Sequence, residues 1–519
     1  MTARIRRVGR FAAATGLFGV LVPLIVVAST LAPIRHFSIA AEPVAAEPVV
    51  AEPVWQTPLS EAGQSDVCLH GEHLYLTVHA PISQPLRAGF SYSDTIVGQC
   101  FERRTGQLLW ELPLPGTFAG KVLESWHDAT SLAPVANDDC VVFHNLNGCL
   151  ACCDLSGRQR WRRTWQAPDP DIKNCRMFLH GELLIVALPS ERIAVPGNEK
   201  HPDLPFYQLH GIDLRTGEER WISPVLLTHA TQYALDRWKE QPVLVASMID
   251  LSHWKFGQGR RGYLISLENG EPIRSFELPP AIPHQKNQLC RGKFVVTVSA
   301  GPRTEFQLVD PENGQVTDRF SMERPDRYFA WSDESNGYRE APFAAKFRQP
   351  TLRNKGFPTP STVHVVGDHI YFWRYDTSAI GCLDVANRQW VLIEAPIQAL
   401  AGRTVWDSKS FQFTKGIANA AGQVVNMRVG TPRGIQSGGF GHTNPPWPTR
   451  LGQQLFWQAG AGMLFEIDTD KPFSPASIRW HSLDAKLQTG QSWTFGAPAV
   501  DATHIYIRSQ RALVCLRRT

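Results

Sequence analysis

A short unit built from a glycine turn and a bulky aromatic residue recurs along this chain of 519 residues. Its clearest copy is HGIDLRTGEERW at residues 210–221, in which an apolar run reaches Asp213, turns at Gly217 and resumes toward Trp221. Glycine suits the positive φ of a tight turn, and an Asp side chain can hydrogen-bond the backbone of that turn. Two strands alone are marginally stable, so we expect the Trp221 ring to be buried against another part of the chain.

Further copies of the unit occur on both sides of this one. Two of them keep the glycine four positions before the tryptophan, and the others are looser; they end at Trp110, Trp161, Phe276, Phe320, Trp390 and Trp480. About eight apolar strands open after a turn ahead of these copies, such as HGEHLYLTV from His70 and PVLVASMID from Pro242. Repeats that are each too small to bury their own face indicate a propeller or an array.

The count of repeats predicts an all-β, eight-bladed β-propeller of four-stranded antiparallel blades over residues 55–519, with seven blades as the alternative. Trp55 supplies the eighth aromatic if the first strand of the chain completes the last blade. Closing the ring with both chain ends removes exposed sheet edges. The 40 glycines and 38 prolines suit a turn-rich β chain, and the net charge of +4, spread along the chain, does not indicate a nucleic-acid partner.

Residues 1–40 are predicted to form a transmembrane or signal helix. Arginines precede an apolar run from Phe11 to Ala32, namely Arg4, Arg6, Arg7 and Arg10. The run is long enough to span a bilayer as an uncleaved anchor, whereas Ser38 and Ala40 offer a cleavage site before Ala41. Either alternative places the body of the protein outside the cytoplasm.

The next stretch, residues 41–54, reads AEPVAAEPVVAEPV and repeats a proline-containing motif. It has no capacity to form a core of its own. We therefore predict a semi-extended spacer that lifts the following domain off a membrane.

The repeats resemble a known family. FERRTGQLLW, CDLSGRQRW and IDLRTGEERW are similar to the A-L-D-x-x-T-G-x-x-x-W repeat of the pyrroloquinoline-quinone-like (PQQ-like) β-propellers, and the resemblance covers nearly the whole chain after Trp55. It implies an eight-bladed ring. That family includes quinone-dependent alcohol and sugar dehydrogenases and also cofactor-free members that act as protein-binding scaffolds, and the chain resembles the scaffold members more closely.

The cysteines are interpreted as packing residues. Four of the ten occupy the small apolar position of the repeat, namely Cys100, Cys152, Cys382 and Cys515. The alternatives are a disulfide or, because the resemblance includes dehydrogenases, a Cys152–Cys153 pair that stacks on a quinone. The CxxC that begins at Cys149 lacks the histidine that haem attachment needs and the second CxxC of a zinc site.

No catalytic or metal-binding residue can be assigned from motifs. The histidines in repeat positions are interpreted as turn or strand residues, namely His70, His180, His364, His369 and His504. Glu466 stands where other units carry Cys, Gly or Ser. It is either a channel-facing ligand or base, or a residue out of register in a degenerate copy, and the second interpretation is favoured.

The long insertions are expected on one face of the disc, opposite the short turns, because they fall between second and third strands or between blades. These insertions are His79–Thr95, Glu191–Phe206, Leu251–Arg261, Ser321–Pro360 and Gly402–Pro448. Two of them mix aromatic and basic residues, namely Trp254, Lys255, Arg260 and Arg261, and Arg327, Tyr328, Phe329, Trp331, Tyr338 and Arg339. This mixture favours a binding patch, and the alternative is that the insertions cap the channel and pack on each other.

Two functions follow from these observations. The favoured one is a cofactor-free, non-enzymatic scaffold tethered outside the cytoplasm, which binds a protein or an envelope polymer through the long-loop face. The alternative is a PQQ-dependent dehydrogenase with the quinone and calcium at the channel mouth. For that alternative the sequence assigns neither the base nor the stacking tryptophan.

Overall fold

The computed structural model describes most of the residues after position 52. The described residues are 53–81, 94–117, 129–166, 176–194, 203–228, 233–249, 260–279, 287–300, 303–343, 360–374, 379–396, 398–400, 403–406, 447–459, 462–483, 496–509 and 511–518, with the strand pieces 44–45, 49–50, 417–418 and 424–426. The chain separates into two compact units, Met1–Ala41 and Glu42–Thr519. The predicted N-terminal helix lies outside the described residues, and within them no helix is both long and apolar enough to cross a membrane.

Eight four-stranded antiparallel blades follow one another around the ring; blades 1 to 7 have strands A to D in sequence order, and blade 8 combines strands from both chain ends. Blades 1 and 2 contain Cys68–His70, His73–His79, Ile96–Glu102 and Leu108–Leu114, then Val135–Ala136, Cys140–Asn145, Cys149–Asp154 and Gln159–Thr164. Blades 3 and 4 contain Phe178–His180, Leu183–Ala194, Asp203–Asp213 and Glu219–Thr228, then Ala234–Trp238, Gln241–Ile249, Arg260–Ser266 and Pro272–Leu278. Blades 5 and 6 contain Leu289–Cys290, Lys293–Ala300, Arg303–Val309 and Val316–Ser321, then Pro360–Val366, His369–Arg374, Ala379–Asp384 and Gln389–Glu394.

Blade 7 contains Thr449–Leu451, Gln454–Ala459, Met463–Asp468 and Ile478–Ser482, with a short 3-10 turn at Pro475–Ser477. Blade 8 takes strands A to C from Ala499–Val500, His504–Arg508 and Ala512–Arg517, and its strand D is Pro53–Pro58 from the other end of the domain. Trp55 pairs opposite Cys515 across this closure. The prediction of eight blades, sealed by the joined chain ends, is confirmed, and the seven-bladed alternative is wrong.

The turn between strands C and D has a built-in hydrogen-bond acceptor. Asp213 Oδ1 accepts the backbone N–H groups of Arg215 and Thr216, each at 2.9 Å, and Gly217 has a φ of 74°. The Arg220 guanidinium bound to this carboxylate, together with the backbone donors, lowers the pKa of Asp213 to about 2. Carboxylates at the same place in other blades also have lowered pKa values, namely Asp154, Asp310, Asp384 and Asp468.

The aromatic residue of strand D packs on the turn glycine of the next blade. A Cβ atom added at Gly217 would lie 2.7 Å from the Trp161 ring, and Trp161 Nε1 donates to the Leu214 carbonyl at 2.8 Å. The same contact joins Trp110 to Gly157 and Trp55 to Gly106. Each ring therefore fastens its blade to the following blade, as the burial argument requires.

Trp390 and Trp480 depart from this arrangement. In blades 1 to 5 the C–D pairing shifts by one residue beside the turn, so that the aromatic faces the next blade, whereas blades 6 and 7 pair without that shift. A one-residue change reverses the face of a strand side chain. Trp390 consequently packs with Phe306 and Phe320 of blade 5, and Trp480 packs with residues of blade 6.

Blades 6 and 7 also carry additional strands on their outer edges. Arg327–Ser332 and Gly337–Glu340, which we name the edge hairpin, add to blade 6, with Phe329 parallel to Ile393 of strand D. Val44–Ala45 pairs with the edge hairpin, and Val49–Val50 pairs with strand D of blade 7. Two small hairpins complete the described strands, Gln398–Leu400 with Arg403–Val405 and Ile417–Ala418 with Val424–Asn426.

We predict that Asp213→Asn lowers the free energy of unfolding at pH 7 by about 1–2 kcal/mol, because it removes charge-assisted hydrogen bonds within the turn. The folded-state pKa of Asp213 is depressed, so its stabilisation is complete above the unfolded value of about 4 and is lost as the pH falls to about 2. Urea unfolding of both proteins from pH 7 to pH 2 measures this.

The difference between the two proteins should shrink across that acidic window. Asp470→Asn, at an exposed position of another turn, serves as the control and should follow the wild type throughout. A difference in the free energy of unfolding that persists unchanged at pH 2 would show that the Asp213 carboxylate charge is not its cause.

Candidate functional site

Three side chains that directly precede A strands meet at the mouth of the central channel. Asp66 precedes Cys68–His70 of blade 1, Arg176 precedes Phe178–His180 of blade 3, and Trp447 precedes Thr449–Leu451 of blade 7. The A strands of a propeller line its axis, and blades 3 and 7 lie on opposite sides of an eight-membered ring. We name Asp66, Arg176 and Trp447 the channel cluster.

The Arg176 side chain joins the other two members. Its Nη2 lies 2.9 Å from Asp66 Oδ2, and its Cζ lies 4.2 Å from the centre of the Trp447 ring. Asp66 Oδ1 also accepts the backbone N–H of Ala497, at 2.6 Å, which ties in blade 8. The Arg176 carbonyl accepts the Tyr233 hydroxyl of blade 4 at 2.6 Å. The cluster thus links blades from opposite sides of the ring through one guanidinium.

The geometry of the channel cluster is suited to holding blades together by non-covalent contacts across the channel. A guanidinium over an indole ring and beside a carboxylate combines a cation–π contact with an ion pair, each of modest strength. Trp447 is only 8% exposed, and the Arg176 guanidinium lies over its ring. A cofactor that stacks on Trp447 would first have to displace Arg176.

The Cys152–Cys153 pair does not lie where a ligand could reach it. Both residues belong to strand C of blade 2, where successive side chains point to opposite faces, and both are fully buried. Cys152 packs with Leu184 and Ile212 of blade 3, whereas Cys153 packs toward blade 1. Burial raises the pKa of the Cys153 thiol to about 12. The pair therefore lacks the geometry of a ligand-facing vicinal disulfide.

The packing interpretation of the repeat cysteines is confirmed. Each of the four is at least 97% buried, and the nine cysteines within the described residues are free thiols. Cys100 lies opposite Tyr75 of strand B and Trp110 of strand D. Burial raises the pKa of its thiol to about 12, so the neutral form fills space between blades.

Glu466 occupies this cysteine position in blade 7, and neither interpretation of it from the sequence is correct. Phe456 pairs with Glu466 in a regular register, as Tyr75 pairs with Cys100, so the residue is not out of register. Its neighbour on the same face, Leu464, packs with Val500 and Ile505 of blade 8, which places Glu466 between blades rather than in the channel.

The Glu466 carboxylate lies in a polar patch between blades 7 and 8. Its Oε2 is 3.5 Å from Nε2 of His481, and the two side chains are 5% and 1% exposed. Within the part of the chain that the structure describes, Oε2 of Glu466 and both ring nitrogens of His481 have no hydrogen-bond partner. Both amide atoms of Gln458, on the same face of the sheet, are likewise buried without a partner. This interface is therefore less well satisfied than the cysteine-filled ones.

The other histidine positions have structural surroundings. His70 Nε2 lies 3.0 Å from Asp138 of the neighbouring blade, and His369 and His504 lie 3.6 and 3.9 Å from turn carboxylates. His180 ends strand A of blade 3, and His364 is a buried residue of strand A in blade 6. Over the described ranges no group of three or more His, Cys, Asp or Glu side chains could hold a metal ion.

The aromatic residues of insertion 321–360 pack instead of forming an open patch. Tyr338 and Phe329 are buried in the edge hairpin, and Trp331 stacks on Trp406 with ring centres 4.5 Å apart. The alternative of mutual packing is thus confirmed for these residues. Insertion 191–206 lengthens strands B and C of blade 3, whereas Trp254 and Lys255 lie outside the described residues.

Sequence reasoning missed the channel cluster. Asp66, Arg176 and Trp447 belong to no motif and are separated by more than a hundred residues each. The one signal that could have found them is their place in the repeat, immediately before strand A. In a closed ring, residues at that place from different blades come close together at the axis.

Comparison with known proteins identifies the family. The family model described as outer membrane protein assembly factor BamB matches residues 52–317, just over half of the chain. The chain belongs to this PQQ-like propeller family. No curated protein matches the sequence.

Several solved structures are similar at low sequence identity. The quinohemoprotein alcohol dehydrogenase ADHIIG from Pseudomonas putida HK5 is 10% identical with a TM-score of 0.44, covering 92% of this chain and 78% of that one. BamB from Moraxella catarrhalis is 9% identical with a TM-score of 0.38, covering 91% and 98%. The quinohemoprotein alcohol dehydrogenase from Comamonas testosteroni is 11% identical with a TM-score of 0.44, covering 92% and 78%. The family includes the chain, and these similarities do not select between enzyme and scaffold.

We predict that Glu466→Cys, which restores the usual residue of the repeat, raises the free energy of unfolding by about 1 kcal/mol or more. The physical reason is that a small apolar group replaces a buried carboxylate that is incompletely hydrogen-bonded. Thermal unfolding of the two proteins measures the change.

The matched control is Cys100→Glu, which creates the reverse change at the equivalent position of blade 1. It should be destabilised by at least about 3 kcal/mol, since a charge is buried without a partner. A Glu466→Cys protein that is less stable than wild type would show that Glu466 has a favourable role at the interface.

Proposed function

We propose that this protein is a non-enzymatic binding scaffold of the cell envelope. In this proposal the N-terminal segment holds the propeller at the outer side of a membrane, and the long-loop face binds a protein or an envelope polymer. The observation that carries the proposal is the channel cluster, in which the chain's own Arg176 covers the Trp447 ring at the axis. Family membership supports it, because the matching model is described as an assembly factor.

The chemistry of the channel mouth supports binding more than catalysis. Asp66 is engaged by a guanidinium and by the backbone N–H of Ala497, so it is poorly placed to act as a general base. The cysteine pair that could have contacted a quinone is enclosed within blade 2. These residues do not fit the stacked quinone of the alternative function.

The position of the short turns favours the opposite, long-loop face as the binding surface. The short A–B and C–D turns hydrogen-bond to each other on their own face, for example Arg103 N to the Glu72 carbonyl and Leu214 N to the Glu182 carbonyl, each at 2.9 Å. Loops held by a rigid frame are the usual location of binding residues. The aromatic residues of the edge hairpin pack against blades 6 and 7 and so belong to that frame.

We predict that replacing residues 344–359 and 427–446 by glycine–serine segments of equal length abolishes capture of a partner from an envelope extract. Replacement at equal length keeps the distance that each segment must span. Both segments follow the edge hairpin in the sequence and contain none of the blade strands, so the blades are retained. Capture is measured by pull-down from extracts with and without protease treatment, which separates a protein partner from a polymer.

The control carries Arg104→Ser and Arg158→Ser on the short-turn face, where both side chains are exposed. This control should capture as well as the wild type. Equal capture by the loop-replaced protein would remove the long-loop face from the proposal.

We predict that titration with PQQ and calcium produces no saturable quenching of tryptophan fluorescence and no dye reduction with alcohols or sugars, because Arg176 covers the Trp447 ring. Trp447→Phe is the matched control, and its response should equal that of the wild type. Calcium-dependent quenching in the wild type that disappears in Trp447→Phe would establish the dehydrogenase alternative.

A further inference from the structure

The N-terminal motif AEPV occurs three times at intervals of five residues, with its valines at Val44, Val49 and Val54. Each copy supplies backbone to a different sheet. Val44 pairs with Tyr338 of the edge hairpin on blade 6, Val49 pairs with His481 in strand D of blade 7, and Val54 lies in strand D of blade 8. The order of the motifs therefore follows the order of three consecutive blades.

The prolines of the motif explain why the first two pairings are short. Pro43, Pro48 and Pro53 each precede a valine, and a proline has no N–H to contribute to a ladder. The residue before a proline is also restricted to extended conformations. A chain of this composition can pair for two residues at one edge and then continue, extended, to the next. Five extended residues reach at most about 17 Å, which sets the step between edges.

Blades 6 and 7 have a particular need for support at their edges. Their tryptophans, Trp390 and Trp480, face the preceding blade and do not fasten the following one. Within the described residues, the sheets of blades 2 to 5 end at strand D, whereas blades 6 and 7 carry additional strands. The added strands thus coincide with the two blades that lack the usual contact.

We propose that the outer edges of the edge hairpin and of strand D in blade 7 form a two-site docking surface for an extended AEPV peptide. The strand pieces Val44–Ala45 and Val49–Val50 of the same chain occupy this surface as an intramolecular strap. The strap joins blades 6 and 7 to the strand that closes the ring in blade 8. The recognition is backbone pairing at a sheet edge, in which the proline spacing of the peptide matches the spacing of the blades. This inference is independent of the proposed scaffold function.

The test replaces residues 41–50 by a glycine–serine segment of equal length in the full chain, which leaves the third motif and Trp55 in place. Amide hydrogen exchange at residues 337–338 and 481–482 should become about 10-fold faster or more, because their pairing partners are lost. A labelled AEPVAAEPVV peptide should bind the replaced protein and restore the protection. Binding to the wild type should be at least about 10-fold weaker, because the strap competes.

Two controls keep the test decisive. A scrambled peptide of the same composition should not bind. If the replaced protein does not fold, the double variant Ala45→Pro and Val50→Pro removes one N–H from each pairing and should show the faster exchange at the same two sites.

Unchanged exchange in both variants, or a peptide that binds without restoring protection, would overturn the proposal. Protection that depends on protein concentration, together with a dimer in solution, would also overturn the intramolecular strap. That outcome would assign the docking surface to the N-terminal segment of a second copy.

Discussion

The contact between a strand-D aromatic and the turn glycine of the next blade determines this fold. Gly217 is required twice over, because its φ of 74° is unfavourable for other residues and because a Cβ there would collide with Trp161. One blade cannot satisfy its own aromatic, so each blade depends on its neighbour. The dependence ends only when the last blade meets the first, as it does where Trp55 packs on Gly106. The contact that links successive blades is therefore the same contact that closes the ring.

This dependence explains which parts of the fold were predictable. Turn glycines and apolar strands recur along the sequence, and the missing eighth aromatic predicts that Trp55 belongs to the closing strand. The orientation of Trp390 and Trp480 was not predictable in that way. It depends on whether one residue bulges beside a turn, and a strand side chain changes face with each residue. The sequence around both tryptophans keeps the aromatic but has an altered turn without the glycine of the repeat, and no residue there marks the missing bulge.

The channel cluster could not be predicted from the sequence for a different reason. Asp66, Arg176 and Trp447 come from blades 1, 3 and 7, and only ring closure brings these positions, each just before a strand A, together.

The composition of the edge hairpin was also ambiguous. Alternating aromatic and basic residues suit a binding patch and suit the edge of a buried sheet equally well, and the parallel pairing of Phe329 with Ile393 decides between them. Buried aromatic rings there stabilise the frame.

Blades 6 and 7 show how a propeller can tolerate a weakened repeat. A large apolar side chain contributes about 1.5–3 kcal/mol when it is buried, and one net backbone hydrogen bond contributes about 0.5–1.5 kcal/mol. Two or three ladder bonds at an edge therefore contribute about as much as one buried aromatic side chain. In blade 7 the face toward blade 8 has Arg479 and Glu466 where blades 1 to 4 place an aromatic and a small residue. The interface between blades 7 and 8 contains buried polar atoms without hydrogen-bond partners, and the added strand at His481 supplies further backbone pairing to blade 7 beside it.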